Sequence, residues 1–296
     1  MKKYIYLLAI LVLNVSCEEV IEVEVPNEEP RLVVDGLIRV NIDEPYIPVE
    51  VKLSLSSDFF NNNTPTSAES VLIQYDEYED GTIINSFFSN LAELEPGSGI
   101  YTPDPNFSSD QRIPTSILDR NLVFNLLIRH EGRLYLATTE YVPAVPIDSV
   151  IQGDGTLFND DETEIIITFT DDPDRDSFYL FDFSFSEFLV TEDEFYKGQQ
   201  FSFSYFYDQI FEPNTEIEIG LMGADQTFFN YMDLLIEQTT NDAGIFATPV
   251  ATVRGNVFDI TDIDNMDLFD NVEQPNVFPL GYFAIVQEYK DTLVIQ

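Results

Sequence analysis

The chain has 296 residues, 54 of them acidic and 13 basic, for a formal net charge of −41. A surface this anionic repels phosphate backbones and argues against nucleic-acid binding, and it gathers no anionic lipid by charge. Hydrophobic residues at 44% and aromatic residues at 14% are ample for packing, so the charge marks a solvated surface rather than disorder.

Lys2 and Lys3 precede a nine-residue apolar run, Ile5 to Leu13, and Asn14-Val15-Ser16-Cys17 follows. A spanning helix needs about 20 apolar residues, so residues 1–16 are read as a lipoprotein signal peptide. Cys17 is the only cysteine. Processing leaves it as the first residue, where its thiol can take a diacylglycerol and its freed amine a further acyl chain. An ordinary secreted protein cut nearby is the alternative, because Asn14 stands where such signals usually carry leucine and Leu13 sits one place early. Losing Lys2 and Lys3 with the leader takes the charge to −43. With no second cysteine there is no disulfide within the chain and no thiolate metal site, so stability comes from burial.

Residues 17–29 form an acidic tether, Cys17-Glu-Glu-Val-Ile-Glu-Val-Glu-Val-Pro-Asn-Glu-Glu29. A first β unit is expected over 30–146. It opens with the strand Arg31 to Ile38, and Val49, Val51, Leu53 and Leu55 then alternate with polar residues, the period of a half-buried strand. Two hairpins are read, one around Glu79-Asp80-Gly81 and one around His130-Glu131-Gly132, with Asp-Gly the strong turn signal. Regular strand spacing predicts an immunoglobulin-like β-sandwich, closing at Val142-Pro-Ala-Val-Pro146.

A second β unit is expected over 147–296, as an antiparallel sandwich or partly closed barrel. Strands are read at 164–170, 178–189, 198–207, 216–222, 250–258 and 280–287. One helix is predicted near 226–238, where Phe228, Phe229, Met232, Leu235 and Ile236 recur at helical spacing and Asp225 can cap the start.

Several segments resemble, in order and spacing, a family of Bacteroidota lipoproteins catalogued as domain of unknown function 4249. They are Cys17-Glu-Glu-Val-Ile-Glu-Val, Pro30-Arg-Leu-Val-Val-Asp-Gly-Leu-Ile38, Asp172-Pro173 with Phe178-Tyr179, and Phe229-Asn-Tyr-Met-Asp-Leu-Leu-Ile236. Pro249-Val-Ala-Thr-Val-Arg-Gly-Asn256 and Leu280-Gly-Tyr-Phe283 complete the set. The resemblance implies an outer-membrane lipoprotein, facing the cell surface or the periplasm, beside a TonB-dependent receptor for nutrient uptake. It implies no catalytic residues, and Glu18 and Glu19 resemble the surface-export signal of such bacteria.

The residues themselves nominate no catalytic centre. The lone histidine, His130, is read as a solvated turn residue; a serine triad needs a histidine base, and zinc sites need several His or Cys ligands. Asp172, Asp174 and Asp176 have the one-three-five spacing of a Ca²⁺ loop. Ser177 stands where that loop needs glycine and Phe183 where it needs glutamate, so the motif fails. The three acids remain candidate ligands only outside it, and no cofactor is expected. Asp262 with Asp264, and Asn159 to Glu162, are similar loops. Two aromatic stripes, Tyr179-Phe181-Phe183-Phe185 and Phe201-Phe203-Tyr205-Tyr207, suit a sandwich core or, alternatively, a ligand surface. No carboxylate pair stands out by an apolar setting. The expected function is a non-enzymatic, lipid-anchored accessory or binding protein. A surface carbohydrate-active enzyme using paired carboxylates and an adhesive surface protein stay open.

Overall fold

The computed structural model describes residues 29–57, 63–158, 161–240, 253–261 and 278–296. The leader, Cys17, the tether up to Glu28, Asn159-Asp160 and the Asp262–Asp264 loop lie outside them. The protein is mainly β and sandwich-like; the described residues hold one α-helix, a large mixed sheet and a second three-stranded sheet.

Strand β1 (Leu32–Val40) buries every second residue, Leu32, Val34, Ile38 and Val40 among them, as the period of two requires. It pairs with β2 (Val51–Leu55), which carries the short β3 (Thr64–Pro65) on its outer side. Two hairpins follow: β4 (Ser70–Glu79) with β5 (Thr82–Glu93), and, after β6 (Ile100–Pro103), β7 (Leu122–His130) with β8 (Arg133–Val142). Their turns are Asp80-Gly81 at φ 49° and 74° and Glu131-Gly132 at φ 50° and 74°. Two successive left-handed residues give the turn whose twist matches the strands; both hairpins stand as expected, but Glu79 and His130, read as turn residues, end β4 and β7.

The second half of the molecule has three layers. In one sheet β11 (Phe178–Asp182) lies between β12 (Phe188–Glu192) and β14 (Glu216–Ala224). In the other, β10 (Thr163–Thr170) lies between β9 (Ile147–Gln152) and β13 (Gln200–Tyr207). Ile165, Ile167 and Phe169 of β10 pack on Tyr179, Phe181, Ile217, Ile219 and Leu221 of the facing sheet. On that sheet's far side lies α1 (Gln226–Thr240), whose Phe228 packs with Leu180, Met222 and Tyr282. Asp225 accepts the Phe228 amide at 2.7 Å, the cap expected of it.

The last strand, β16 (Leu280–Val294), unites the halves. Its first part runs parallel to β1, from Val33 opposite Leu280 to Val40 opposite Gln287, and touches β8 at Ile285–Tyr141. Its second part is antiparallel to β14, from Met222 opposite Glu288 to Glu216 opposite Val294. The first core is thereby ringed by hydrogen-bonded strands in the order β1-β2-β6-β5-β4-β7-β8-β16 and back to β1. Tyr282 to Gln287 is buried without a break, the signature of a strand covered on both faces. Local pattern identified this strand but not its neighbour.

Two local readings are corrected. The run 178–189 is not one strand: Ser184, Phe185 and Ser186 have φ of 61°, 51° and 65°, and the chain turns back between β11 and β12. The Phe183 amide bonds the Glu187 carbonyl and the Glu187 amide bonds the Ser184 carbonyl, both at 2.9 Å. No glycine or proline announces this turn, so composition hid it. Phe185, assigned to the buried stripe, is 55% exposed. Within 253–261, strand β15 covers only Val257–Asp259, paired to β8.

Candidate functional site

The acids singled out for Ca²⁺ are engaged locally. Asp172 accepts the Asp174 amide at 3.0 Å and pairs with Arg175 at 3.2 Å, while Asp176 pairs with Lys197. Asp174 lies exposed beside them. The buried carboxylates at this end are neighbours that the sequence reading passed over. Asp171 accepts the Tyr179 hydroxyl at 2.5 Å and the Gly198 amide at 2.7 Å, and Asp193 accepts the Ser177 amide at 2.9 Å. They tie the 171–177 loop to β11 and to the 193–198 turn. Among the described residues no group of three or more His, Cys, Asp or Glu side chains is placed to hold a metal.

His130 is not solvated. It is the last residue of β7, is 3% exposed, and its Nε2 lies 2.8 Å from Thr66 Oγ1. The two-residue turn begins after it, so alternation carries its ring inward. Apart from Phe185, the aromatic stripes pack in or against the core: Tyr179, Phe181, Phe183 and Tyr207 are fully buried, Phe201, Phe203 and Tyr205 are half-buried against them, and Phe183 stacks on Tyr205 with ring centroids 3.7 Å apart.

The arrangement with most chemical content lies where the halves meet. An open cleft of about 630 Å³ is lined by Arg39 on β1, by Asn41, Asp43, Glu44, Tyr46 and Pro48 after it, and by Glu288, Tyr289 and Lys290 on β16. Parallel pairing sets Arg39 opposite Val286, two residues before Glu288. Arg39 Nη1 donates to Asp182 Oδ2 at 2.5 Å and to Glu288 Oε1 at 3.2 Å. Lys290 Nζ donates to Glu218 at 2.8 Å and stands 3.8 Å from the other oxygen of Glu288. Gly220 makes room for this, since a Cβ there would lie 2.7 Å from Glu288 Oε1.

Burial dominates the electrostatics of Glu288. It pushes the carboxyl above its ordinary value, with Arg39 and Lys290 opposing. Burial also works against the charge of Arg39, but Asp182 and Glu288 more than compensate and hold its pKa above the ordinary value. Lys290 is raised by its hydrogen bond to Glu218. The cleft therefore offers two cations already held by carboxylates, a half-buried carboxylate between them, and phenols at its rim. Such a surface can bind a polar ligand by charge and hydrogen bonding. Sequence reasoning missed it because the carboxylates that hold its cations come from β11, β14 and β16, each unremarkable alone. The one available signal was scarcity: Arg39 and Lys290 are two of only 13 basic residues.

Among the described residues, parts of three segments that carried the family resemblance meet in space, around Gly36, Gly255 and Gly281. Gly255 packs on Gly281, where a Cβ would fall 1.6 Å from the Gly281 carbonyl oxygen, and Gly36 packs on Phe283. They close the first core against β16, and their role in this fold is structural. No curated protein matches the chain. The model of the family described as Domain of unknown function (DUF4249) matches residues 18–265, and the chain belongs to that family.

Proposed function

We propose that the protein is a lipid-anchored accessory or binding protein of the outer membrane, without catalytic activity, that works beside a TonB-dependent receptor in nutrient uptake. The observation that carries this reading is the leader: two lysines, a nine-residue apolar run from Ile5 to Leu13 and Cys17, followed at once by acidic residues. No helix among the described residues is long and apolar enough to cross a membrane, so under this reading attachment rests on acyl chains at Cys17. The cleft supports a binding role, because Arg39 and Lys290 are held in place by carboxylates in advance of any ligand.

The test is fractionation with and without Cys17→Ala, and purification of the wild-type protein from detergent-solubilised membranes. The proposal expects the wild type in the membrane fraction with a receptor, and the variant in the soluble fraction. A variant that stays on the membrane, or a wild type recovered without a receptor, defeats it. One observation favours a second reading as a carbohydrate-active enzyme: the Glu288 carboxyl, whose pKa burial raises above the ordinary value, shares Arg39 with the Asp182 carboxylate. Turnover of a glycan panel by the wild type and its loss in Glu288→Gln would select that reading.

A further inference from the structure

The first half of β5 is an open, apolar sheet edge. Its inner side pairs with β4 along its length, but β6 meets its outer side only at Leu91, Ala92 and Glu93. Asn90 marks the limit of cover: its amide donates to Gln111 Oε1 at 2.7 Å and its carbonyl accepts the Asp104 amide at 2.9 Å. Those groups point away from β4. By the alternation of an antiparallel ladder, the N–H and C=O of Phe88 and Ser86 point the same way. Among the described residues no strand pairs with the edge between Thr82 and Ser89.

The side chains on this edge are equally unusual. Ile83 and Ile84 are each 48% exposed, Phe87 is 37% and Phe88 is 55%. Phe87 stacks on Tyr75, with ring centroids 5.2 Å apart, which holds the hairpin in shape. Soluble proteins usually blunt such edges with lysine, proline or a cover. Residues 82–89, Thr-Ile-Ile-Asn-Ser-Phe-Phe-Ser, contain neither lysine nor proline.

We infer that the β5 edge is a docking site for an extended segment of another protein, which adds as a strand and carries lysine or arginine beside its apolar residues. Main-chain ladder bonds supply affinity in this mode, and alternate side chains supply selectivity. Charge selects the occupant. Residues 53–111 contain ten acidic residues and no lysine or arginine; Glu79 and Asp80 lie at the hairpin tip, beyond Glu77, which Arg120 pairs at 3.5 Å. A second copy would bring the same charge and repel; a basic strand is attracted. The inference deepens the accessory reading above by naming the surface that its partner grips.

The experiment places a photo-reactive benzophenone amino acid at position 84 of the full chain in the cells that make it. Adducts are then mapped by mass spectrometry, alone and combined with Phe88→Pro or Phe88→Lys. The first removes an outward N–H, while the second leaves the β4 ladder intact and puts a cation on the edge. The expected result is an adduct to an extended, basic segment of a second protein, reduced about tenfold or more in both variants, with melting temperatures close to the parent's. No adduct, an adduct to another copy of this chain, or an undiminished yield in both variants overturns the inference. Fractionation of the same cells separates the two ideas. A membrane-bound chain that gives no adduct defeats the docking site alone; a soluble chain that still gives the basic-strand adduct defeats the anchor alone.

Discussion

Asn256 does with its side chain what a strand does with its backbone: its Nδ2 donates to the Phe283 carbonyl at 2.7 Å, and its Oδ1 accepts the Phe283 amide at 2.8 Å. The same Nδ2 reaches the Thr138 carbonyl of β8 at 3.1 Å. One side chain thus bridges β8 and β16 just short of Ile285–Tyr141, where the two strands pair directly.

Asn256→Ala strands the amide and carbonyl of Phe283, a residue with 0% exposure. Each buried group left unpaired costs about 1–3 kcal/mol, so urea unfolding is expected to show a loss of about 3 kcal/mol. Asn256→Asp keeps the acceptor but faces two carbonyls with a carboxylate, and at neutral pH it should lose at least as much.

Gly281 has φ +95°, and a Cβ there would lie 1.9 Å from the Val34 carbonyl oxygen. Gly281→Ala combines a left-handed strain with a clash against the backbone of β1. The expected outcome is loss of soluble expression, or a melting temperature depressed far more than by alanine at the open turn glycine Gly97, where nothing lies within 4 Å of the added carbon. Equal effects at the two positions would contradict the close approach of β1 and β16.

Glu288 gives a signed pH dependence. Its carboxyl is raised in the fold, chiefly by burial, from an ordinary value of 4.5. Its contribution is therefore fully present below that value and is lost as pH rises through the folded one. Glu288→Gln has no such titration. The melting temperature of the variant minus that of the wild type should rise from about pH 4 to neutrality; a flat or falling difference would mean that Arg39 and Lys290 outweigh burial.

Phe169 sits at the centre of the second core, with Tyr179, Phe181, Tyr196 and Phe201 rings at centroid distances of 5.4 to 6.0 Å. Phe169→Ala should cost about 3–5 kcal/mol in chemical unfolding. Phe185→Ala, in the same aromatic series but 55% exposed, should cost far less.

Sequence by itself determined the elements whose cause is local. The turns at Asp80-Gly81 and Glu131-Gly132, the alternation through Val49, Val51 and Leu53, and the Asp225 cap each depend on a few neighbouring residues, so their pattern was legible. Only the tertiary structure decided what depends on partners far along the chain. It gave β16 its place beside β1 and carried His130 inward against Thr66. It joined Arg39, Asp182, Glu218, Glu288 and Lys290 into one ion-pair network at the cleft and left one edge of β5 without a strand partner among the described residues. Periodicity states which side of a strand is buried; the identity of the neighbour is set by packing and hydrogen bonds between segments far apart along the chain, which no local window contains.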